Sequence, residues 1–236
     1  MFDPKKFTTP TAKPLPVILL LDVSSSMEGT KIRNLNIAVK EMLDTFAQEE
    51  KMETEILVSI ITFGDTVDLK IPYTKASKVA WESLVADGYT PMGTALRMAK
   101  AMIEDKETTP SRAYRPTVVL VSDGQPNDEW ETPLEEFISE GRSSKCDRMA
   151  MAIGSDADET VLGRFIQGTP HELFYAEGAS QLHEFFQRVT MSVTMRTQSK
   201  NPNLVIAPSE IKLDGGSVKK ISEPEKHEEP EEDSYW

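Results

Sequence analysis

Val17-Ile18-Leu19-Leu20-Leu21 is an unbroken apolar run that stops at a carboxylate, Asp22. A strand with one wet face alternates apolar and polar residues. A run with no polar position is covered on both faces, as in a parallel sheet flanked by helices. Two more runs are apolar except for small hydroxyl residues and do not alternate: Ile56 to Phe63 (Ile-Leu-Val-Ser-Ile-Ile-Thr-Phe) and Thr117 to Ser122 (Thr-Val-Val-Leu-Val-Ser). Three such strands far apart in the chain require helical crossovers between them.

The segments between them have helical periodicity. Lys31 to Glu49 carries Ile32, Leu35, Val39, Met42, Leu43 and Phe46, an apolar stripe at the 3.6-residue period. Gly64-Asp65 is a turn, and Val67 to Ile71 alternates as an antiparallel edge strand beside the second strand. Ala76 to Leu84 is expected as a short helix, and Val85 to Tyr89 as a loop. A helix then runs to about Asp105, with Thr90 as its N-cap and Pro91 as its first residue. Pro133 to Ser144 is expected as a helix, Arg148 to Ile153 as a strand, Asp158 to Gln167 as a helix and Glu172 to Tyr175 as a short strand. The final helix runs from Ser180 to about Met195, with Leu182, Phe185, Phe186, Val189 and Val193 on one face. The fold expected is α/β: a doubly wound, Rossmann-like, mostly parallel six-stranded sheet with one antiparallel edge strand and helices on both faces. Residues 1–14 read as an extended arm, 15–198 as the domain, 199–221 as an extension docked on it, and 222–236 as an acidic disordered tail.

The apolar run leads into Asp22-Val23-Ser24-Ser25-Ser26, which places one carboxylate and two hydroxyls at alternate positions. A second carboxylate, Asp123, ends the Thr117 strand, and Thr90 stands in the loop Gly88-Tyr89-Thr90-Pro91-Met92-Gly93. Ligands of doubly wound sheets bind beyond the carboxyl ends of the strands, where strand order reverses. With strand order 3-2-1-4-5-6 the reversal lies between the first strand and the Thr117 strand, so Asp22 and Asp123 converge there. Carboxylates and hydroxyls are hard oxygen donors, suited to Mg²⁺, Mn²⁺ or Ca²⁺ rather than zinc. Each fragment alone has an ordinary reading, as a polar loop, an N-cap or a turn. Their conjunction favours a metal site.

This arrangement resembles the von Willebrand factor A (VWA) family, whose metal ion-dependent adhesion site uses Asp-x-Ser-x-Ser, a loop Thr and a second Asp. The resemblance covers about Leu15 to Met195. It implies that Asp22, Ser24, Ser26, Thr90 and Asp123 ligate the metal, with Mg²⁺ preferred and an open position that accepts an Asp or Glu carboxylate of another protein. The Leu-Pro-Val-Ile-Leu-Leu-Leu-Asp opening and the Thr-Pro-Met-Gly-Thr-Ala-Leu stretch are most similar to bacterial single-domain proteins of the TerY, tellurium-resistance type. That likeness implies an adaptor in a stress-response, signalling or defence assembly, with a kinase or phosphatase of the same system as partner.

The net charge of −13 argues against nucleic acid and anionic membranes as partners. Seven acids and one Lys between Ser222 and Trp236 supply about −6 of it, leaving −7 on the rest. Those acids have two readings: a solvated tail, which is favoured, and a source of a carboxylate for a metal site. No apolar run approaches the roughly 20 residues that span a bilayer. No signal-type stretch opens the chain, and a lone cysteine, Cys146, excludes an internal disulfide. A cytoplasmic location is expected.

A competing reading is a Mg²⁺-dependent phosphoryl-transfer hydrolase with Asp22 as nucleophile. Haloacid dehalogenase-like chemistry expects a second Asp two positions on, where Ser24 stands. Neither a phosphate-cradling glycine loop nor a Gly-x-Ser-x-Gly elbow is present. An enzyme is therefore not expected. A scaffold with a purely structural metal is the third reading. His171 and His183 read as surface or capping groups, and Met149 and Met151 as core. Cys146 reads as a buried or half-buried small residue, and Trp81 as packing the short helix. Trp130, in the loop after Asp123, reads as packing or, less favoured, as a partner contact.

Overall fold

The computed structural model describes residues 13–49, 54–199 and 201–205. The arm up to residue 12, the extension beyond 205 and the acidic tail lie outside the described residues.

Six strands form one sheet in the order β3-β2-β1-β4-β5-β6. β1 (Lys13–Asp22) is central. It pairs in parallel with β2 (Thr54–Phe63) on one side and with β4 (Thr117–Ser122) on the other. β5 (Asp147–Ile153) and β6 (Phe174–Ala176) continue the parallel order, and β3 (Val67–Lys75) closes the other edge antiparallel to β2. The expected sheet is therefore the observed one.

The two faces of β1 feed two cores. Leu15, Val17, Leu19 and Leu21 pack beneath α1 (Thr30–Glu49) and α5 (Ala179–Gln198). Ile18 and Leu20 pack beneath α2 (Met92–Glu104), α3 (Glu131–Ser139) and α4 (Glu159–Phe165). Every apolar position read from the periodicity of α1 and of the last helix is buried. Burying a Leu or Phe side chain is worth about 1.5–3 kcal/mol, so these two layers hold the strand ends in place.

Three expected helices differ. Ala76 to Leu84 forms only a 3-10 turn, Ala76–Lys78, followed by irregular chain. The reason lies on α1. The side chain of Asn36 accepts from the Leu84 amide at 2.7 Å and donates to the Leu84 carbonyl at 2.9 Å, replacing the partners a helix would supply. α3 stops at Ser139, because Gly141 follows at φ +65 and Glu104 Oε1 accepts the amides of Arg142 and Ser143. α2 begins at Met92, so Pro91 takes the N-cap position and Thr90 stands outside the helix. No described helix is long and apolar enough to cross a membrane.

Candidate metal centre

β1 ends where β4 ends. Their last paired residues are Leu21 and Val121, and the next residue of each strand enters the site. Asp22 and Asp123 both have 0% exposure. Ser122 Oγ donates to Asp22 Oδ2 at 2.5 Å, and the Ser24 amide donates to Asp22 Oδ1 at 2.9 Å. A 3-10 turn, Ser25–Met27, follows Ser24, and Met27 is fully buried as a plug beneath it. That turn brings Ser26 back over the strand end. Ser26 Oγ lies 2.8 Å from Ser24 Oγ and donates to Asp123 Oδ1 at 2.6 Å. The other oxygen, Asp123 Oδ2, accepts from Lys31 Nζ at the start of α1.

Thr90 arrives from a separate loop. Gly88, at φ +79, lies so close to Asp65 that an added Cβ would meet the Asp65 backbone at 2.3 Å. This close approach ties the Thr90 loop to the turn between β2 and β3, and bonds from the Ser25 amide to the Gly88 carbonyl and from the Asp87 amide to the Val23 carbonyl tie it to the Asp22 loop. A Cβ built on Gly124 would lie 3.6 Å from both Ser26 Oγ and Thr90 Oγ1. The two hydroxyls thus flank the same glycine, one residue beyond Asp123.

The structure brings all five sequence-predicted residues to one end of the sheet. Four other residues build that end and had no role assigned from sequence. Ser122 and Lys31 each hold one carboxylate. Asn127 accepts the Thr90 amide at 3.1 Å and returns its own amide to the Thr90 carbonyl at 3.1 Å. Asp128 accepts the Gly93 and Thr94 amides at 2.9 and 2.8 Å and the Thr94 hydroxyl at 2.8 Å. Asp128, not Thr90, therefore satisfies the first turn of α2. Gly93 permits this, since a Cβ there would lie 2.0 Å from the Glu129 carbonyl oxygen. Ser122 is set beside Asp22 by the register of β1 on β4, which only the folded sheet supplies. Asp128 carried no sequence signal, because its partners lie 34 and 35 positions earlier.

Burial pushes the Asp22 carboxyl above its ordinary range, opposed by hydrogen bonds from Ser122 and Ser24, with the charge of Asp123 adding to the rise. Two buried carboxylates held by hydroxyls, an amide and one ammonium leave an excess of negative charge. The donor set is all oxygen. That chemistry fits a hard divalent cation, and Asp22, Ser24, Ser26, Thr90 and Asp123 could hold it.

Outside the centre one expectation changes, that for His171, and the favoured packing reading of Trp130 holds. His171 is not a surface group: its Nε2 lies 2.5 Å from Asp147 Oδ1 at the start of β5, away from the strand ends that carry the site, and it is 7% exposed. Trp130 is half-buried against the core layer under α2, with the Arg164 guanidinium 5.6 Å from its ring centre, so it packs. Cys146 is buried, as are Met149 and Met151.

Residues 17–188 match the family described as von Willebrand factor type A domain. Inter-alpha-trypsin inhibitor heavy chain H6 of Homo sapiens is 25% identical over 194 residues, covering 74% of this chain but only 14% of its own length. A von Willebrand factor type A structure from Catenulispora acidiphila superposes with a TM-score of 0.61 at 22% identity, over 78% of this chain and 43% of that one. The proximal thread matrix protein 1 of the mussel byssus, described with a zinc-occupied MIDAS motif, superposes with a TM-score of 0.55 at 19% identity, over 78% of this chain and 46% of that one. A match across most of the described residues, with the sheet order and strand-end geometry above, leads to one conclusion: the chain belongs to the von Willebrand factor type A domain family.

Proposed function

We propose that this chain is a metal-dependent protein-binding module. Asp22, Ser24, Ser26, Thr90 and Asp123 hold a hard divalent cation, Mg²⁺ first, with Mn²⁺ or Ca²⁺ as substitutes. When bound, the cation supplies a Lewis-acidic position that takes an Asp or Glu carboxylate of a partner protein. Two carboxylates offset the charge of one such cation, and the hydroxyls add oxygen donors without adding charge, which leaves the cation attractive to an outside anion. The observation that carries this reading is the fully buried pair Asp22 and Asp123 at the ends of adjacent strands, linked through Ser24, whose amide donates to Asp22, and Ser26, whose hydroxyl meets that of Ser24 and donates to Asp123. The zinc-occupied motif described for the mussel protein supports it by likeness of fold.

The site is read as an attachment point and not a catalytic one. Ser24 stands where a phosphoryl-transfer hydrolase of the haloacid dehalogenase type would have its second Asp. The further proposal, carried by the sequence likeness to TerY-type proteins, is a cytoplasmic adaptor in a bacterial stress-response or defence assembly with a kinase or phosphatase partner.

Thermal denaturation with Mg²⁺ or EDTA tests the cation. Wild type should gain stability with Mg²⁺ by mass action, and Asp22→Ala and Asp123→Ala should not. Capture of partner proteins from the source cell, repeated in EDTA and with both variants, tests the bridge. Partner binding unchanged in all three conditions would overturn it.

A further inference from the structure

We infer that Lys31 is the resident counter-cation of this centre and that its ammonium competes with a divalent cation for Asp123. The inference rests on the reading of the five residues as a cation site, and adds how tightly that site binds.

Lys31 occupies the first turn of α1, the end of the helix where a positive charge is unfavourable and where no acidic residue offsets it. Helix electrostatics therefore do not account for it. Its Nζ donates to Asp123 Oδ2. The Asp123 side chain is fully buried while that of Lys31 is 34% exposed. The ammonium reaches inward from solvent to a carboxylate that has no other charged partner among the described residues.

Asp22 and Asp123 with Lys31 sum to one negative charge. A divalent cation added with Lys31 in place meets a positive group already on one of its two carboxylates. With Lys31 withdrawn it meets both carboxylates unopposed. The four-carbon stem and the partial exposure of Lys31 let the ammonium swing into water, where it is strongly hydrated. The exchange lowers cation affinity in the wild type and keeps Asp123 paired when no cation is present. An unpaired buried carboxylate is expensive, so removing Lys31 destabilises the metal-free protein.

The test is Mn²⁺ titration of the full chain by calorimetry, with melting in EDTA beside it. Lys31→Met removes the charge and keeps the stem. It should bind Mn²⁺ about tenfold or more tightly than wild type, melt at a lower temperature in EDTA, and show a larger Mn²⁺-induced rise in Tm. Lys31→Gln provides the same reading if the Met variant folds poorly. Lys31→Arg keeps the charge and should bind Mn²⁺ no more tightly than wild type. Unchanged or weaker binding in both neutral variants would overturn the inference while leaving the cation site standing. Wild type taking up no more Mn²⁺ than Asp123→Asn would overturn the cation site itself, and this inference with it.

Discussion

Ser122 Oγ donates to Asp22 Oδ2 at 2.5 Å, joining residues 100 positions apart in the chain. The contact locks the ends of β1 and β4 together and fixes one oxygen of the carboxylate from which the site is built. Ser122→Ala leaves that buried oxygen without its donor. It should cost about 1–3 kcal/mol of stability, read as a lowered urea midpoint with an unchanged slope.

Asp128 serves the first turn of α2 from another part of the chain. Asp128→Ala removes three hydrogen-bond partners and frees two amides. A loss of about 1–2 kcal/mol is expected, as for an N-cap. Asp128→Asn keeps one acceptor oxygen and should lose less. Chemical denaturation of both variants checks the order, and equal losses would contradict it.

His171 pairs with Asp147 where both side chains are almost wholly buried. His171→Leu strands Asp147 Oδ1 and should cost about 1.5–3 kcal/mol, as for a hydrogen bond to a charged group. Because the pair sits at the start of β5, Mg²⁺ affinity per folded molecule should stay at the wild-type value. Denaturation and calorimetry on the same sample separate the two readouts.

Burial pushes the Cys146 thiol up to about 12. The thiolate is the reactive form. Between pH 7 and 9 the folded protein should therefore react with a thiol reagent far more slowly than the unfolded chain, and the native rate should follow global unfolding. Labelling in buffer and in denaturant measures the ratio. Fast native labelling would show that the strand start at Cys146 opens locally.

Much of this centre is legible in the amino-acid sequence. The apolar runs at Val17, Ile56 and Thr117 imply parallel strands, and Asp22 and Asp123 end two of them. Hydrophobic periodicity located α1 and α5 because their buried positions repeat with the helix itself. The helix expected over Ala76 to Leu84 failed for a reason of the opposite kind. The backbone of Leu84 is satisfied by Asn36, a side chain 48 positions away, and local pattern carries no trace of that bond. The same is true of Thr90, a good N-cap by type. Asp128 takes the cap, and Thr90 stays outside the helix with its hydroxyl beside Gly124.

The amino-acid sequence alone determined the class of fold, the oxygen chemistry of Asp22, Ser24, Ser26, Thr90 and Asp123, and the end of the sheet where they meet. These follow from residue type, from unbroken apolar runs and from the helical period of 3.6, which are local properties. Tertiary structure alone decided what holds each group: Ser122 on Asp22, Lys31 on Asp123, and Asn127 and Asp128 on the Thr90 loop and α2. Those partners come from other elements, and long-range hydrogen bonds and ion pairs leave no periodic signal. They are chosen by which groups the packed sheet brings within hydrogen-bonding reach of one another.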